Sequence, residues 1–329
     1  MKGLRMLGGG RVAVETFPDP EPAQGGALVR IQASGLCGSE LHGYRADHAQ
    51  SANAGHEAMG VVVETRGTAR LKVGDRVGLH AVWGCGKCDW CAQGRYTWCQ
   101  SKLGPSPFHA EYVAAPEHVL LPLADDISDP VGVLLSGDGL GVPWHAQTRL
   151  KTAPGDLVVI VGCGPIGLGN TLVQADAGAE VIAVELTDYR LGLARQMGAA
   201  HTVNPDQEDA VEAVARIAAG RQVRACIEAV GKPETLRLCL KLVGLGGTVM
   251  AVGEQPATPV DISEELIRRD ITLMGSWFFH FREFADMAAA YRAGLAVDRL
   301  VTHSFALDDG DRAFAEFAAG RTGKAMLTP

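Results

Sequence analysis

The strongest periodic signal sits in the middle of the chain. In DLVVIVGCGPIGLGNTLVQADAGAEVIAVEL, five consecutive apolar residues (LVVIV) run into a glycine turn, then into apolar residues at helical spacing, then into a second apolar run that ends in an acid. A short stretch that is apolar on every side predicts a strand buried on both faces, as in a parallel sheet. The alternation goes on through helical TDYRLGLARQMGA, strand HTVN, helical DQEDAVEAVARIAAG and strand VRACIEAV, with GTVMAVG and ITLMGSW as further strands. An α/β domain with a doubly wound parallel sheet and right-handed crossovers is expected over residues 146–277. Cys163, Cys226 and Cys239 fall inside its elements, where buried packing accounts for them.

The flanks have a different rhythm. Before the central domain stand GALVRIQASG, GHEAMGVVVETRG, VGDRVGLHA and AEYVAAPEHVLLPL, short strands broken by glycine and proline. They predict a mostly-β domain of bent barrel type over residues 1–145. After it come helical FREFADMAAAYRAG, strand VTHSFAL, helical DRAFAEFAAG and KAMLTP, a segment over 278–329 expected to return to the first domain. The chain shows no internal repeat and no low-complexity linker.

Composition narrows the partners. A length of 329 residues is enough for two domains with real cores, and 47% hydrophobic with 21% charged residues is ordinary for a folded chain. Thirty basic against 38 acidic residues give a net charge of −8, and neither terminus carries a basic run, so nucleic acid is not an expected partner. The most apolar stretch, DLVVIVGCGPIGLG, is too short and too glycine-rich to cross a bilayer, so no membrane association is expected. MKGLRMLGGGRVAVE has no secretory h-region, and the expected location is cytoplasmic.

The glycine turn carries the order G-x-G-x-x-G. Gly162 permits the tight turn, Gly164 lets a pyrophosphate approach the backbone, and Gly167 allows the helix to pack closely on the strand. The helix that opens at Pro165 and Ile166 points its positive end at the phosphates. Glu185, eighteen residues past Gly167, can accept hydrogen bonds from ribose hydroxyls and repels a 2′-phosphate, which favours NAD over NADP. Arg190 on the next helix reads either as a cofactor contact or as a solvated charge. Val252, Gly253, Ser276 and Trp277, after the last two strands, complete the candidate cofactor-binding set.

Two further clusters suggest metal. In CGKCDWCAQGRYTWC, Cys85, Cys88, Cys91 and Cys99 stand at spacings of three, three and eight. In a reducing compartment clustered thiols are better read as ligands than as disulfides, and four thiolates close a tetrahedral zinc site with no vacancy, hence a structural one. Cysteines packed as small hydrophobes are the other reading, which this polar, glycine-rich setting disfavours. In GLCGSELH and GHEAMG, Cys37 and His56 could bind zinc, while Ser39 and His42 could pass a proton.

These residues, with the four-cysteine lobe, GCGPIG, KVGDRV and the closing GKAML, resemble the zinc-dependent medium-chain dehydrogenases, among them alcohol, sorbitol and threonine dehydrogenases, essentially end to end. The resemblance implies a GroES-like catalytic domain beside a Rossmann domain, with an active site in the cleft between them. It also implies two zinc ions per chain, NAD, a small-molecule alcohol or carbonyl substrate, and a homo-oligomer, dimer or tetramer. Asp138, seven residues before His145 in VLLSGDGLGVPWHA, occupies the place of the third catalytic ligand. Glu57 is similar to the neighbouring glutamate that approaches the ion directly or through water. Ser39 and His42 then carry the hydroxyl proton outward. A zinc-independent enone or quinone reductase, and a non-catalytic dinucleotide-binding protein, are the competing readings.

Departures bear on the substrate. Glu40 stands where the family has aspartate and can still orient a ligand from behind. Phe278 and Phe279 replace the Arg-Tyr pair of sorbitol dehydrogenases, and Gly43 replaces a tyrosine, so polyol binding in that manner is not expected. Trp83, Phe108 and Trp277 are candidates for an apolar pocket, and His109, Tyr44 and Arg45 for contacts to a polar substrate.

Overall fold

The computed structural model describes residues 1–50, 54–104 and 107–329. It divides into two compact units, Met1–Gly141 with Phe279–Arg292 and Val301–Pro329, and Val142–Phe278 with Ala293–Leu300.

The first unit is built on the strand Gly26–Gly35. Along its length this strand pairs antiparallel with Ala58–Arg66, its first half also pairs with Tyr112–Pro116, and its last residues pair with Lys324–Thr328. The sheet order is Val301–Ala306, Lys324–Thr328, Gly26–Gly35, Ala58–Arg66, Arg76–Leu79, Leu120–Pro122. Alternation of buried and exposed positions along Gly26–Gly35 puts Val29 and Ile31 in the interior and Arg30 in solvent, as a half-solvated antiparallel sheet requires. A second cluster, with Leu4, Met6, Leu36, Tyr44, Phe314 and Phe317, packs the N-terminal hairpin Lys2–Gly8/Arg11–Thr16 against the helix Gly310–Ala318. The C-terminal strand is thus part of the first sheet. Its pairing of Met326 with Gly35 brings the end of the chain beside Cys37.

Next to Arg76–Leu79 lies His80, fully buried, with Nδ1 2.9 Å from the Val82 carbonyl oxygen and Nε2 3.2 Å from that of Phe279. Burial pushes its pKa down to about 4 from an ordinary 6.5. As pH falls the unfolded chain takes up this proton first, so the His80 contribution to stability is intact above pH about 6.5 and is lost on the way down to about 4. The expected loss between pH 7.5 and pH 5 is roughly 2 kcal/mol. Urea unfolding of wild type and His80→Phe at the two pH values should show the wild type losing more by about that amount; equal losses would refute it.

The second unit is a six-stranded sheet in the order His201–Val203, Glu180–Val184, Leu157–Val161, Val223–Glu228, Thr248–Ala251, Thr272–Gly275, every neighbouring pair parallel. All five residues of Leu157–Val161 are buried, which accounts for the uninterrupted apolar run. Helices Pro165–Asp176, Asp188–Gln196, Ala210–Ala218 and Pro233–Leu242 cross between the strands. Strand order reverses between Leu157–Val161 and Val223–Glu228, and at such a switch point the carboxyl ends of the strands leave a crevice for a ligand. Residues 293–300, which the sequence reading placed with the first domain, cluster with this unit instead: Leu295, Val297 and Leu300 are buried, and the turn Val297–Leu300 packs on the helix Pro165–Asp176. Among the described residues no helix is long and apolar enough to cross a membrane.

Candidate metal and cofactor sites

In the second unit the glycine loop has the form a dinucleotide needs. Gly162 has φ +92°, and a Cβ there would come within 2.4 Å of Val230, so only glycine turns the chain at this point. A Cβ on Gly167 would stand 1.8 Å from the Gly162 carbonyl oxygen, so its absence sets how closely helix and strand approach. Gly164 is the opposite case. A Cβ there would meet nothing within 4 Å, and the bare backbone faces an open cradle at the N-terminus of the helix that begins with Pro165, Ile166 and Gly167. Glu185 follows the strand Glu180–Val184 and accepts hydrogen bonds from Cys163 N at 2.9 Å and Leu186 N at 2.8 Å, which ties it to the glycine loop. Arg190 lies half-buried on the helix Asp188–Gln196. Across the switch point Glu228, fully buried, accepts from Val230 N, Gly231 N and the Thr235 hydroxyl, and its carbonyl accepts from Val252 N and Gly253 N. Sequence reading missed this residue, whose carboxylate organises the turn into the helix Pro233–Leu242 and whose carbonyl holds the turn after Thr248–Ala251. Ser276 carries a buried hydroxyl with no hydrogen-bond partner among the described residues, and Trp277, half-exposed, donates to Glu254 at 3.1 Å. An open phosphate cradle and an unpartnered hydroxyl fit a bound dinucleotide.

The first unit contains both cysteine sites. Cys85, Cys88, Cys91 and Cys99 bring their sulfurs within 4.8 Å of one another, with Cys88–Cys91 at 3.5 Å and Cys85–Cys91 at 3.9 Å. Zinc–sulfur bonds of about 2.3 Å set tetrahedral edges of about 3.8 Å, so the cluster has the dimensions of a four-thiolate zinc site. The backbone N–H of Lys87 holds the Cys85 thiol down at about 6, while burial pushes that of Cys91 up to about 12, so a bound metal would be what brings the set to thiolate. The lobe is anchored on its own unit: Thr97 Oγ1 lies 2.9 Å from His280 Nδ1, and Arg282 N donates to Gly94 O.

The second cluster joins Cys37, His56, Glu57 and Asp138, whose ligand atoms also lie within 4.8 Å of one another. Cys37 closes the strand Gly26–Gly35 two residues on, His56 and Glu57 lead into Ala58–Arg66, and Asp138 opens the helix Asp138–Leu150, whose N-terminus favours a carboxylate. Asp138 Oδ2 is 3.1 Å from Cys37 Sγ and 2.9 Å from His56 Nε2. Burial and the Asp138 carboxylate push the Cys37 thiol up, while the negative charge of Cys37 and Asp138 outweighs burial to push His56 well above its usual value. A thiol, an imidazole and a carboxylate crowded together with surplus acidity are a donor set for zinc, and Glu57 is positioned as a further ligand or neighbour. Glu57, fully buried, accepts from Gly139 N at 3.3 Å and forms an ion pair with buried Lys324; a Cβ on Gly137 would strike it at 2.6 Å, which explains the glycine before Asp138. Lys324 carried no signal in the sequence beyond the GKAML match.

Ser39 and His42 are exposed on the turn Gly38–Glu40 and the short helix Leu41–Arg45 that follow Cys37, with Ser39 Oγ 3.4 Å from Cys37 Sγ. Other candidates move elsewhere. Phe108 is fully buried, and Tyr44 stacks on Phe314 with centroids 5.6 Å apart, so both serve the core rather than a pocket. His109 is fully buried and faces Glu40 and Ser34, not a substrate. Arg45 is exposed, and Trp83 is half-buried, paired through its backbone with Leu103. The Phe279 ring packs on His80 with centroids 4.7 Å apart and fills the space over Gly141.

Comparison with known proteins agrees with this layout. Residues 23–125 match the alcohol dehydrogenase GroES-like domain and 165–292 the zinc-binding dehydrogenase family. The chain is 32% identical to an L-threonine 3-dehydrogenase of Symbiobacterium thermophilum over 351 residues, covering 100% of this chain and 98% of that one. Among solved structures it is similar to the alcohol dehydrogenase TADH of Thermus sp. ATN1, with a TM-score of 0.89, 27% identity and coverage of 100% and 99%. It is also similar to the 2R,3R-butanediol dehydrogenase of Bacillus subtilis, with a TM-score of 0.86, 25% identity and coverage of 100% and 99%. The zinc-independent and non-catalytic readings are not favoured by these relatives. The chain belongs to the zinc-dependent medium-chain dehydrogenases, alcohol oxidoreductases that pair zinc with a nicotinamide dinucleotide.

Proposed function

We propose that this protein oxidises a small secondary alcohol, or reduces the matching carbonyl, with NAD(H) in preference to NADP(H). The observation that carries this reading is the convergence of Cys37 Sγ, His56 Nε2 and Asp138 Oδ2 from three separate elements. When bound, zinc supplies a Lewis acid that acidifies a substrate hydroxyl, and NAD supplies the hydride acceptor. Cys37, His56 and Asp138 would hold the metal, with Glu57 beside them, and Cys85, Cys88, Cys91 and Cys99 a second, structural ion. Ser39, at the exposed rim of the cluster, takes the hydroxyl proton, and His42, exposed three residues on, returns it to water. Gly162, Gly164, Pro165, Ile166 and Gly167 would hold the pyrophosphate, Glu185 would take the ribose hydroxyls with Arg190 flanking, and Val252, Gly253, Ser276 and Trp277 would complete the dinucleotide site. The relatives support the substrate class, because threonine at C3 and 2,3-butanediol both present secondary hydroxyls. The protein is read as a homo-oligomeric enzyme, dimer or tetramer, of the cytoplasm.

The test is coupled oxidation of a panel of secondary alcohols, polyols and amino alcohols with NAD and with NADP, alongside metal analysis. NADH formation from a secondary alcohol, a lower rate with NADP and two zinc ions per chain are the expected results. Turnover undiminished after metal removal, or a preference for NADP, would overturn the reading.

A further inference from the structure

Behind the Cys37–His56–Asp138 cluster runs a line of polar side chains that the chemistry above does not use. Glu40 is 6% exposed in its side chain. One of its oxygens, Oε2, accepts from Cys37 N at 2.9 Å and lies in hydrogen-bond geometry 3.4 Å from His109 Nε2. The other, Oε1, has no partner in hydrogen-bond geometry and lies between two imidazoles, 3.7 Å from His56 Nδ1 and 3.1 Å from His109 Nε2. His109, fully buried, has Nδ1 2.8 Å from the hydroxyl of fully buried Ser34. With His56 Nε2 given to a metal, His56 Nδ1–H would be left to point at Glu40, and His109 Nε2–H would point at the same carboxylate while its Nδ1 bonds the Ser34 hydroxyl.

His109 also touches the ligand loop from its backbone side. A Cβ on Gly55 would stand 2.5 Å from His109 N and 2.7 Å from its ring, and Gly55, with φ +101°, directly precedes His56. His109 N donates to Ala54 O at 2.8 Å, and Phe108 N to Gly55 O at 3.1 Å. The ring therefore bears on both sides of one ligand, on the carboxylate behind its imidazole and on the backbone that carries it.

We propose that His109 is a positioning residue of the metal centre, acting through Glu40 to orient His56. The inference rests on the metal reading of this cluster. Glu40 alone has a loose hold, because its Oε1 is 3.7 Å from the imidazole it must orient; His109, bonded to Oε2 and held in turn by Ser34, keeps the carboxylate from turning away. Outer partners of this kind are commonly worth 10- to 100-fold in metal affinity.

The test is zinc affinity by chelator competition, and the visible spectrum after Co2+ exchange at this site, in protein whose four-cysteine site stays zinc-loaded. His109→Phe keeps the ring and removes both hydrogen-bonding nitrogens. It is expected to weaken zinc about 10- to 100-fold and to shift the Co2+ bands, while NAD binding is unchanged. His109→Gln, which can still donate to Glu40, is expected to recover most of the loss. In a Glu40→Gln background His109→Phe is expected to add less than about twofold, since residues that act through one another do not add. Zinc affinity within twofold of wild type, or losses that multiply with Glu40→Gln, would overturn the proposal. If His109→Phe fails to fold, Ser34→Ala leaves the ring in place and decides it, by weaker zinc in support and unchanged zinc against. A wild type that holds no zinc outside the four-cysteine lobe would refute the metal reading itself, which is a different result from a wild type that binds and a variant that binds equally well.

Discussion

Cys37→Ala is expected to lower kcat/KM by about 10³-fold or more, with NAD binding and the zinc of the four-cysteine lobe retained. Cys37 contributes the sulfur of its cluster and sits 6% exposed at the end of a core strand, so alanine there preserves the backbone and deletes one donor. What is left, an imidazole and a carboxylate with Glu57 in reserve, is a weaker and harder set for zinc. Metal acting as a Lewis acid is worth several kcal/mol of barrier, and each 1.36 kcal/mol is a factor of ten, which gives the size of the effect. Alanine also relieves the crowding of acidic groups, so the variant should fold at least as well without metal as the wild type. Steady-state kinetics with zinc content and a fluorescence titration of NAD measure all three parts. A variant within tenfold of wild-type turnover would remove Cys37 from the machinery.

Lys324→Met is expected to destabilise the first unit by about 3–5 kcal/mol, because it leaves Glu57 buried without its counter-charge. Burial by itself pushes the Lys324 ammonium down, but the carboxylate of Glu57 and the thiol of Cys37 outweigh it and hold the pKa above the ordinary lysine range. Burial pushes the Glu57 carboxyl up against the pull of Lys324, so each member depends on the other for its charge, and neither reaches water. Glu57→Gln in the Lys324→Met background removes the stranded charge and should restore most of the stability, the pattern of a coupled pair. Thermal or urea unfolding of the two single variants and the double variant provides the measurement. A loss under 1 kcal/mol in Lys324→Met, or strictly additive losses, would refute the account. Because Glu57 also borders the proposed zinc, zinc affinity in Lys324→Met reports whether the ion pair restrains the carboxylate, independently of the stability result.

What was legible in the sequence has a common character. The four inner strands of the parallel sheet could be read because a strand buried on both faces must be largely apolar, and a proline opens the crossover helices Pro165–Asp176 and Pro233–Leu242. The four-cysteine lobe could be read because its ligands all fall within residues 85–99, where loop spacing alone brings thiolates together. Cys37 and His56 were visible as motifs, and Asp138 was reached through the family pattern. The aromatic and polar residues proposed for a pocket were not so fortunate. Tyr44, Phe108 and His109 are each as compatible with a pocket wall as with a core, and a local window contains nothing that chooses between them.

By itself, the sequence determined the two kinds of unit, the phosphate turn at Gly162–Gly164–Gly167, the sulfur lobe and the chemical types of donor available for a second metal. Tertiary structure alone decided which of those donors meet, and what stands behind them. Lys324 and Glu57 are 267 positions apart, and they touch only because Lys324–Thr328 pairs with the end of Gly26–Gly35. His109 and Ser34, 75 positions apart, likewise meet through the packing of one loop on one strand. Local periodicity records which face of an element is buried; the partner across that face is chosen by the sum of long-range packing and pairing over the whole chain, which no short window of sequence contains.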